Sequence, residues 1–239
     1  IATTINGDDA SNYSFAGVTT TDNNYVVNKL TLTGATIAGV TTTYATAADA
    51  GAVSFGNVQV ADKVTSSASI VDAATSTSGN LKAGSYKQTA TAISGDDASN
   101  YSFAGVTTAD KNYVVNKLTL TGVTIAGVTT TYATAADAGN VSFGNVQSGD
   151  KVASAASIVD ATTSTSGNLK AGNYKQTATA ITGDDASNYS FAGITTTDNN
   201  YVVNKLTLTG AAIAGVTTTY ATAAGTGAVT FSNVQGSDK

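Results

Sequence analysis

The eleven residues GDDASNYSFAG stand at 7–17, return unchanged at 95–105 and return again at 183–193, a constant spacing of 88. Sliding the chain by that distance aligns 7–94 with 95–182 without a gap. Eleven positions differ, among them Asn23/Lys111, Ala35/Val123, Ala52/Asn140 and Ser85/Asn173. Every Tyr and Phe keeps its place: Tyr13/Tyr101/Tyr189, Phe15/Phe103/Phe191, Tyr25/Tyr113/Tyr201, Tyr44/Tyr132/Tyr220 and Phe55/Phe143/Phe231. The period exceeds the roughly 20–50 residues of a solenoid coil and suits a small domain with its own core.

Within one period the apolar and β-branched residues fall in short runs: 25–32, 41–47, 53–58, 64–71, 86–93 and 100–106. Turn residues separate them, as in GNLKAGS at 79–85 and SGDDASN at 94–100. Thr, Val and Ile on alternating positions favour strands over helices. Six or seven strands per period predict an all-β fold of tandem immunoglobulin-like β-sandwich repeats, with the aromatic positions in the core. No Pro-rich or Gly/Ser-rich linker divides the periods. The run NNYVVNKLTLTG (23–34, 111–122, 199–210) reads as the last strand of one unit passing directly into the first of the next. So short a junction leaves few free dihedrals, and the expected object is a rod.

Composition narrows the chemistry. The chain has no His, Cys, Met, Trp or Pro, every acid is Asp, and every base is Lys. It therefore has no side chain that titrates unaided near neutral pH, no thiolate nucleophile and no soft metal ligand. A Ser or Thr activated by Lys, or an Asp pair, would need strongly shifted pKa values to catalyse, and no enzyme activity is expected. A net charge of −5 with eleven scattered lysines argues against nucleic acid. No apolar run approaches the ~20 residues of a membrane-spanning helix. Ile1 opens without the charged and apolar regions of an export signal, so the chain is expected to be a segment of something longer.

The order LTLTG, TTYATAA, FGNVQxxDKV, GNLKAGxYKQTATAIxGDDASNYSF resembles the YDG/MBG-type repeats of large bacterial surface adhesins. The closing run of that family, G-x-x-L-x-G-A-D-A-x-N-Y, is matched through Gly95, Asp96, Asp97, Ala98, Asn100 and Tyr101. The opening departs from it, since Tyr44 is followed by Ala45 and Thr46 where the family has Asp and Gly. In the family's frame 30–117 and 118–205 are complete repeats, 1–29 is the C-terminal part of a repeat, and 206–239 is the N-terminal part of another. The resemblance implies an extracellular protein of the bacterial cell surface, secreted by a two-partner or autotransporter route, whose repeats form a non-catalytic stalk. An alternative is a self-assembling extracellular filament or biofilm-matrix fibre in which repeats contact one another laterally or by strand exchange. The expected partners are neighbouring repeats of the same chain, copies of the chain in a fibre, and a host or matrix ligand that the sequence does not identify.

Four features invite a site reading, each beside a structural one. Asp8-Asp9, with copies at 96–97 and 184–185, offers oxygens to Ca²⁺, yet Asp and Asn also cap turns through their own backbone. Asn12, Asn100 and Asn188 begin N-Y-S and Asn140 begins N-V-S, which are glycosylation acceptor patterns that also arise by chance. Lys29, Lys117 and Lys205 beside Asn28, Asn116 and Asn204 match an isopeptide pair, or else lysines that protect strand edges. The tyrosines suit a carbohydrate-stacking platform or core packing. No catalytic, cofactor-binding or metal-ligating residue and no cofactor is assigned.

Overall fold

The computed structural model describes residues 1–239, and its regular structure is nearly all β, in small sheets of two or three strands. The first ten strands are β1 (Leu30–Thr31), β2 (Thr36–Ile37), β3 (Val40–Thr43), β4 (Val53–Ser54), β5 (Ser69–Ile70), β6 (Gly84–Tyr86), β7 (Gln88–Ala90), β8 (Tyr101–Ser102), β9 (Val106–Thr107) and β10 (Tyr113–Asn116). The next ten repeat them: β11 (Leu118–Thr119), β12 (Thr124–Ile125), β13 (Val128–Thr131), β14 (Val141–Ser142), β15 (Ser157–Ile158), β16 (Gly172–Tyr174), β17 (Gln176–Ala178), β18 (Tyr189–Ser190), β19 (Ile194–Thr195) and β20 (Tyr201–Asn204). Two more, β21 (Ala212–Ile213) and β22 (Val229–Thr230), repeat β2 and β4. The sheets of 30–116 are β1-β8, β2-β4, β3-β10-β6 and β5-β7-β9, and those of 118–204 have the same order. β1-β8 and β3-β10 pair in parallel, as do β11-β18 and β13-β20, while the remaining pairs are antiparallel.

By internal contacts the chain divides into two compact units: Ile1–Gly39, Ala50–Val71 and Lys87–Asn112 form the first, and Val40–Asp49, Asp72–Tyr86 and Tyr113–Lys239 the second. Each strand pairing stays inside one unit. In the first unit Leu32, Ile37, Ala90 and Tyr101 are buried, and Phe55 meets Phe103 edge to face at 5.2 Å. At its centre Gln88, fully buried, accepts from Gly51 N–H at 2.6 Å and donates to Ala38 C=O at 3.0 Å and Asn112 Oδ1 at 2.5 Å. One amide thereby ties three backbone segments together, adding to the Ala38 N–H to Ala52 C=O bond that already joins two of them. The approach requires glycine, because a Cβ at Gly51 would lie 1.9 Å from Ala38 O.

In the second unit Tyr113 and Val115 of β10 point inward and alternate with Val114 and Asn116, the period of two of a half-buried strand. Tyr201, Val203 and Leu169 form the corresponding cluster, packed against Val128, Tyr132, Ile158 and Tyr174. The Gln88 centre recurs within this unit as Gln176, bonded to Gly139, Ala126 and Asn200.

Three expectations change. The run 86–93 breaks at Lys87, with β6 and β7 in different sheets. The run 41–47 ends as a strand at Thr43, because Ala45 turns left-handed at φ 72. Tyr13, Tyr25 and Tyr220 are 73%, 89% and 101% exposed, unlike their buried equivalents Tyr101, Tyr113 and Tyr44.

Candidate functional site: a tyrosine and aspartate network

The second unit contains a network that joins side chains from consecutive copies. Tyr44 N–H donates to Asn116 C=O at 2.8 Å, which holds Tyr44 in line with β3, and the turn at Ala45 leads the chain away so that the ring stays buried. Tyr44 Oη lies 2.5 Å from both Asp150 Oδ2 and Ser76 Oγ and 3.1 Å from Ser78 Oγ. The carboxylate, having no proton, accepts. Tyr189 Oη donates to the same Asp150 oxygen at 2.6 Å while accepting from Gln147 N–H at 2.9 Å. The second Asp150 oxygen accepts from Ser78 N–H at 2.9 Å. The two tyrosine rings meet edge to face at 5.3 Å, which closes the carboxylate off on one side.

A second set of bonds lies alongside. Asp185 accepts from Thr77 N–H at 3.1 Å and Lys151 N–H at 2.9 Å, and Asn188 Oδ1 accepts from Ala83 N–H at 3.0 Å. Asp185 and Asn188 are 1% and 0% exposed, whereas their copies Asp97 and Asn100 are half-buried and exposed. Sequence being equal, the difference comes from the Thr77–Ala83 backbone that covers the later copy. The network begins again at Tyr132, which meets Ser164, Ser166 and Asp238, and Ser166 N–H donates to Asp238 at 3.0 Å.

Burial alone would push the Asp150 carboxyl up, but the hydrogen bonds from Tyr189, Tyr44 and Ser78 outweigh it and hold it below the usual carboxylate range. Asp185 is lowered chiefly by Lys151 N–H, with Thr77 adding to it. Burial first, and then the bond to Asp150, raise Tyr189 and Tyr44 above the ordinary phenol value. Chemically the arrangement is a clasp, in which ionised acceptors hold neutral donors through charge-assisted hydrogen bonds.

Of the three Asp-Asp turns, the third contributes one residue to this clasp. Gly183 supplies φ 113 where a Cβ would strike Lys151 O at 2.2 Å, Asp184 pairs with Lys151 at 3.4 Å in solvent, and Asp185 enters the network. Asp96 and Asp97 repeat only the contacts to Lys63, the salt bridge at 3.3 Å and the Lys63 N–H bond at 2.8 Å, and Asp8 and Asp9 are exposed. Asn188 is closed to a glycan by burial, whereas Asn12, Asn100 and Asn140 are exposed. Lys29, Lys117 and Lys205 and their Asn neighbours are all solvent-exposed, which removes the buried setting an isopeptide bond requires. Ser76, Ser78 and Asp150 escaped the sequence reading, which took Tyr44 as a core or stacking residue and not as a partner of Asp150. Their signal was identity between copies at Tyr44/Tyr132/Tyr220, Asp62/Asp150/Asp238, Ser76/Ser164 and Ser78/Ser166, against drift at Val60/Ser148 and Ala61/Gly149.

Compared with known proteins, the chain matches no family model, no curated protein and no solved structure.

Proposed function

We propose that the chain is a structural, non-catalytic stalk segment of an extracellular bacterial surface adhesin, in which tandem immunoglobulin-like sandwich repeats project or link the adhesive part. The observation that carries this reading is the clasp of Tyr44 and Tyr189 on Asp150 and of Thr77 and Ala83 on Asp185 and Asn188. It ties one copy to the next through side chains that recur every 88 residues, as a stalk built by repetition requires. The adhesin assignment adds the likeness of the GDDASNY closing run to surface-adhesin repeats. Micrographs of the purified chain test it: slender particles that lengthen by a constant step when one 88-residue copy is inserted support the stalk, and a compact globule overturns it. Antibody labelling of intact producing cells tests the surface location, and its failure on intact but not on lysed cells overturns that part.

A further inference from the structure

Tyr44 and Tyr189 belong to successive copies and lie in one compact unit, with their phenol rings in direct contact. Both residues are 2% exposed, and the rings meet edge to face at 5.3 Å with 70° between their planes. The two other ring pairs of the molecule, Phe55–Phe103 and Phe143–Phe191, carry no hydroxyl. Tyr44 Oη and Tyr189 Oη converge on Asp150 Oδ2, at 2.5 Å and 2.6 Å. The ring carbons beside the two hydroxyls therefore lie at the same end of the contact. Holding two copies together needs a shared acceptor but no particular meeting of the rings, so this convergence invites a chemical reading.

Three properties of the arrangement suit oxidative coupling of phenols. A phenol loses an electron far more readily when its proton leaves at the same time, and the Asp150 carboxylate is a base already bonded to both hydroxyls. Its depressed pKa keeps it ionised at neutral pH, and its half-buried position gives the proton it takes up a route to water. Burial of the rings keeps foreign radicals from the reacting carbons, while ring contact turns the meeting of two radicals into an intramolecular event of high effective concentration.

We propose that Tyr44 and Tyr189 form a modification site at which a one-electron oxidant, of the haem-peroxidase class supplied with hydrogen peroxide, joins the two rings as dityrosine. Each phenol gives one electron to the oxidant and one proton through Asp150 to water. The two phenoxyl radicals form a carbon–carbon bond between a Cε of Tyr44 and a Cε of Tyr189. The hydrogens on those two carbons move to the phenolic oxygens, which restores both aromatic rings. The chain loses two hydrogens in all, and one peroxide takes up the two electrons and two protons to become two waters. The electrons leave by tunnelling, so the oxidant need not touch the buried rings. The site goes beyond the stalk reading and stands without it: its product is a covalent closure between copies in place of a hydrogen-bonded one.

The unmodified chain, dilute enough to remain monomeric, is treated with a haem peroxidase and limiting hydrogen peroxide, cut after lysine and mapped by tandem mass spectrometry. Peptide 30–63, whose only tyrosine is Tyr44, should be joined to peptide 176–205, which carries Tyr189 and Tyr201, with two hydrogens lost and the blue emission of dityrosine. A map in which 30–63 stays single, or joins 176–205 no more often than it joins other tyrosine peptides, overturns the proposal. Tyr189→Phe should remove the joined peptide; its persistence would route the link through Tyr201 and overturn the pairing. Oxidation of the unmodified chain in urea should scatter the links over all tyrosines, and an undiminished 30–63 to 176–205 yield there would show that the fold does not select the pair. Asp150→Asn keeps an acceptor of the same shape without the base and should lower the yield several-fold in native buffer, with circular dichroism reporting that the fold is retained. An unchanged yield in that variant overturns the part assigned to Asp150.

Discussion

Tyr44 Oη and Asp150 Oδ2, 106 residues apart in sequence, lie 2.5 Å from each other, and Tyr189 Oη reaches the same oxygen from the other side at 2.6 Å. The carboxylate therefore organises donors that belong to two successive copies. Its counterpart Asp62 accepts from Tyr101 alone among the tyrosines.

That asymmetry makes the two aspartates controls for each other. Asp150→Ala strands three donors in a partly buried site, where a bond to a charged group contributes about 1.5–3 kcal/mol. Urea unfolding should show a loss of roughly that size. Asp62→Ala should cost clearly less. Equal losses would mean that the clasp adds nothing to the stability of the second unit.

Acidity should release the clasp. Asp150 and Asp185 have carboxyl groups held below their unfolded values, so their contribution is complete above about pH 4 and disappears as pH falls through the depressed folded values. Tyr44 and Tyr189 are raised, so their contribution is complete below about pH 10 and is lost as pH climbs through the folded values. Thermal midpoints measured against pH should fall on both flanks, and Asp150→Asn with Asp185→Asn should flatten the acid flank. An acid flank unchanged in the double variant would place its origin elsewhere.

The buried glutamine is expected to be far less replaceable than its polar character suggests. Gln88→Ala leaves Gly51 N–H and Ala38 C=O without their buried partner, at about 1–3 kcal/mol for each group left unsatisfied. Gly51→Ala forces a methyl against Ala38 O and should destabilise at least as much. Denaturant midpoints of the two variants check this, and a neutral Gly51→Ala would refute the close approach.

Tyrosine hydroxyls should divide into two groups. Tyr113 and Tyr201 bury hydroxyls that no protein group meets, so Tyr113→Phe and Tyr201→Phe should be neutral or stabilising. Tyr189→Phe removes the bonds to Asp150 and Gln147 N–H and should destabilise by about 1–3 kcal/mol. Calorimetric midpoints that moved equally in all three would contradict the hydrogen-bond pattern.

Much of the strand content was legible in the sequence. Alternation at Tyr113–Asn116 and the Gly-Asn-Leu-Lys-Ala-Gly and Gly-Asp-Asp turns are local signals, and local geometry decides them. The turn at Ala45 was not legible, since a left-handed alanine costs about 1–2 kcal/mol; it recurs at Ala133 and at Ala221, where the neighbouring Tyr220 is fully exposed, so it does not depend on burial of the tyrosine. The parallel partnership of Leu30 with Tyr101 was also hidden, because a residue's spelling does not say which distant strand it joins. The clasp itself was legible only as sameness: Asp62, Asp150 and Asp238 do not change while residues two positions away do.

The parallel pairing of β3 with β10 and of β1 with β8 has a mechanical consequence. A copy is entered at its first strands and left at its last, so tension on the two ends pulls parallel neighbours in opposite directions along their own axes. Their ladder bonds are then loaded in shear and must rupture together, where an antiparallel hairpin pulled from its open end would unzip one rung at a time. Strands of only two to four residues thereby oppose a steady pull more stiffly than their length suggests.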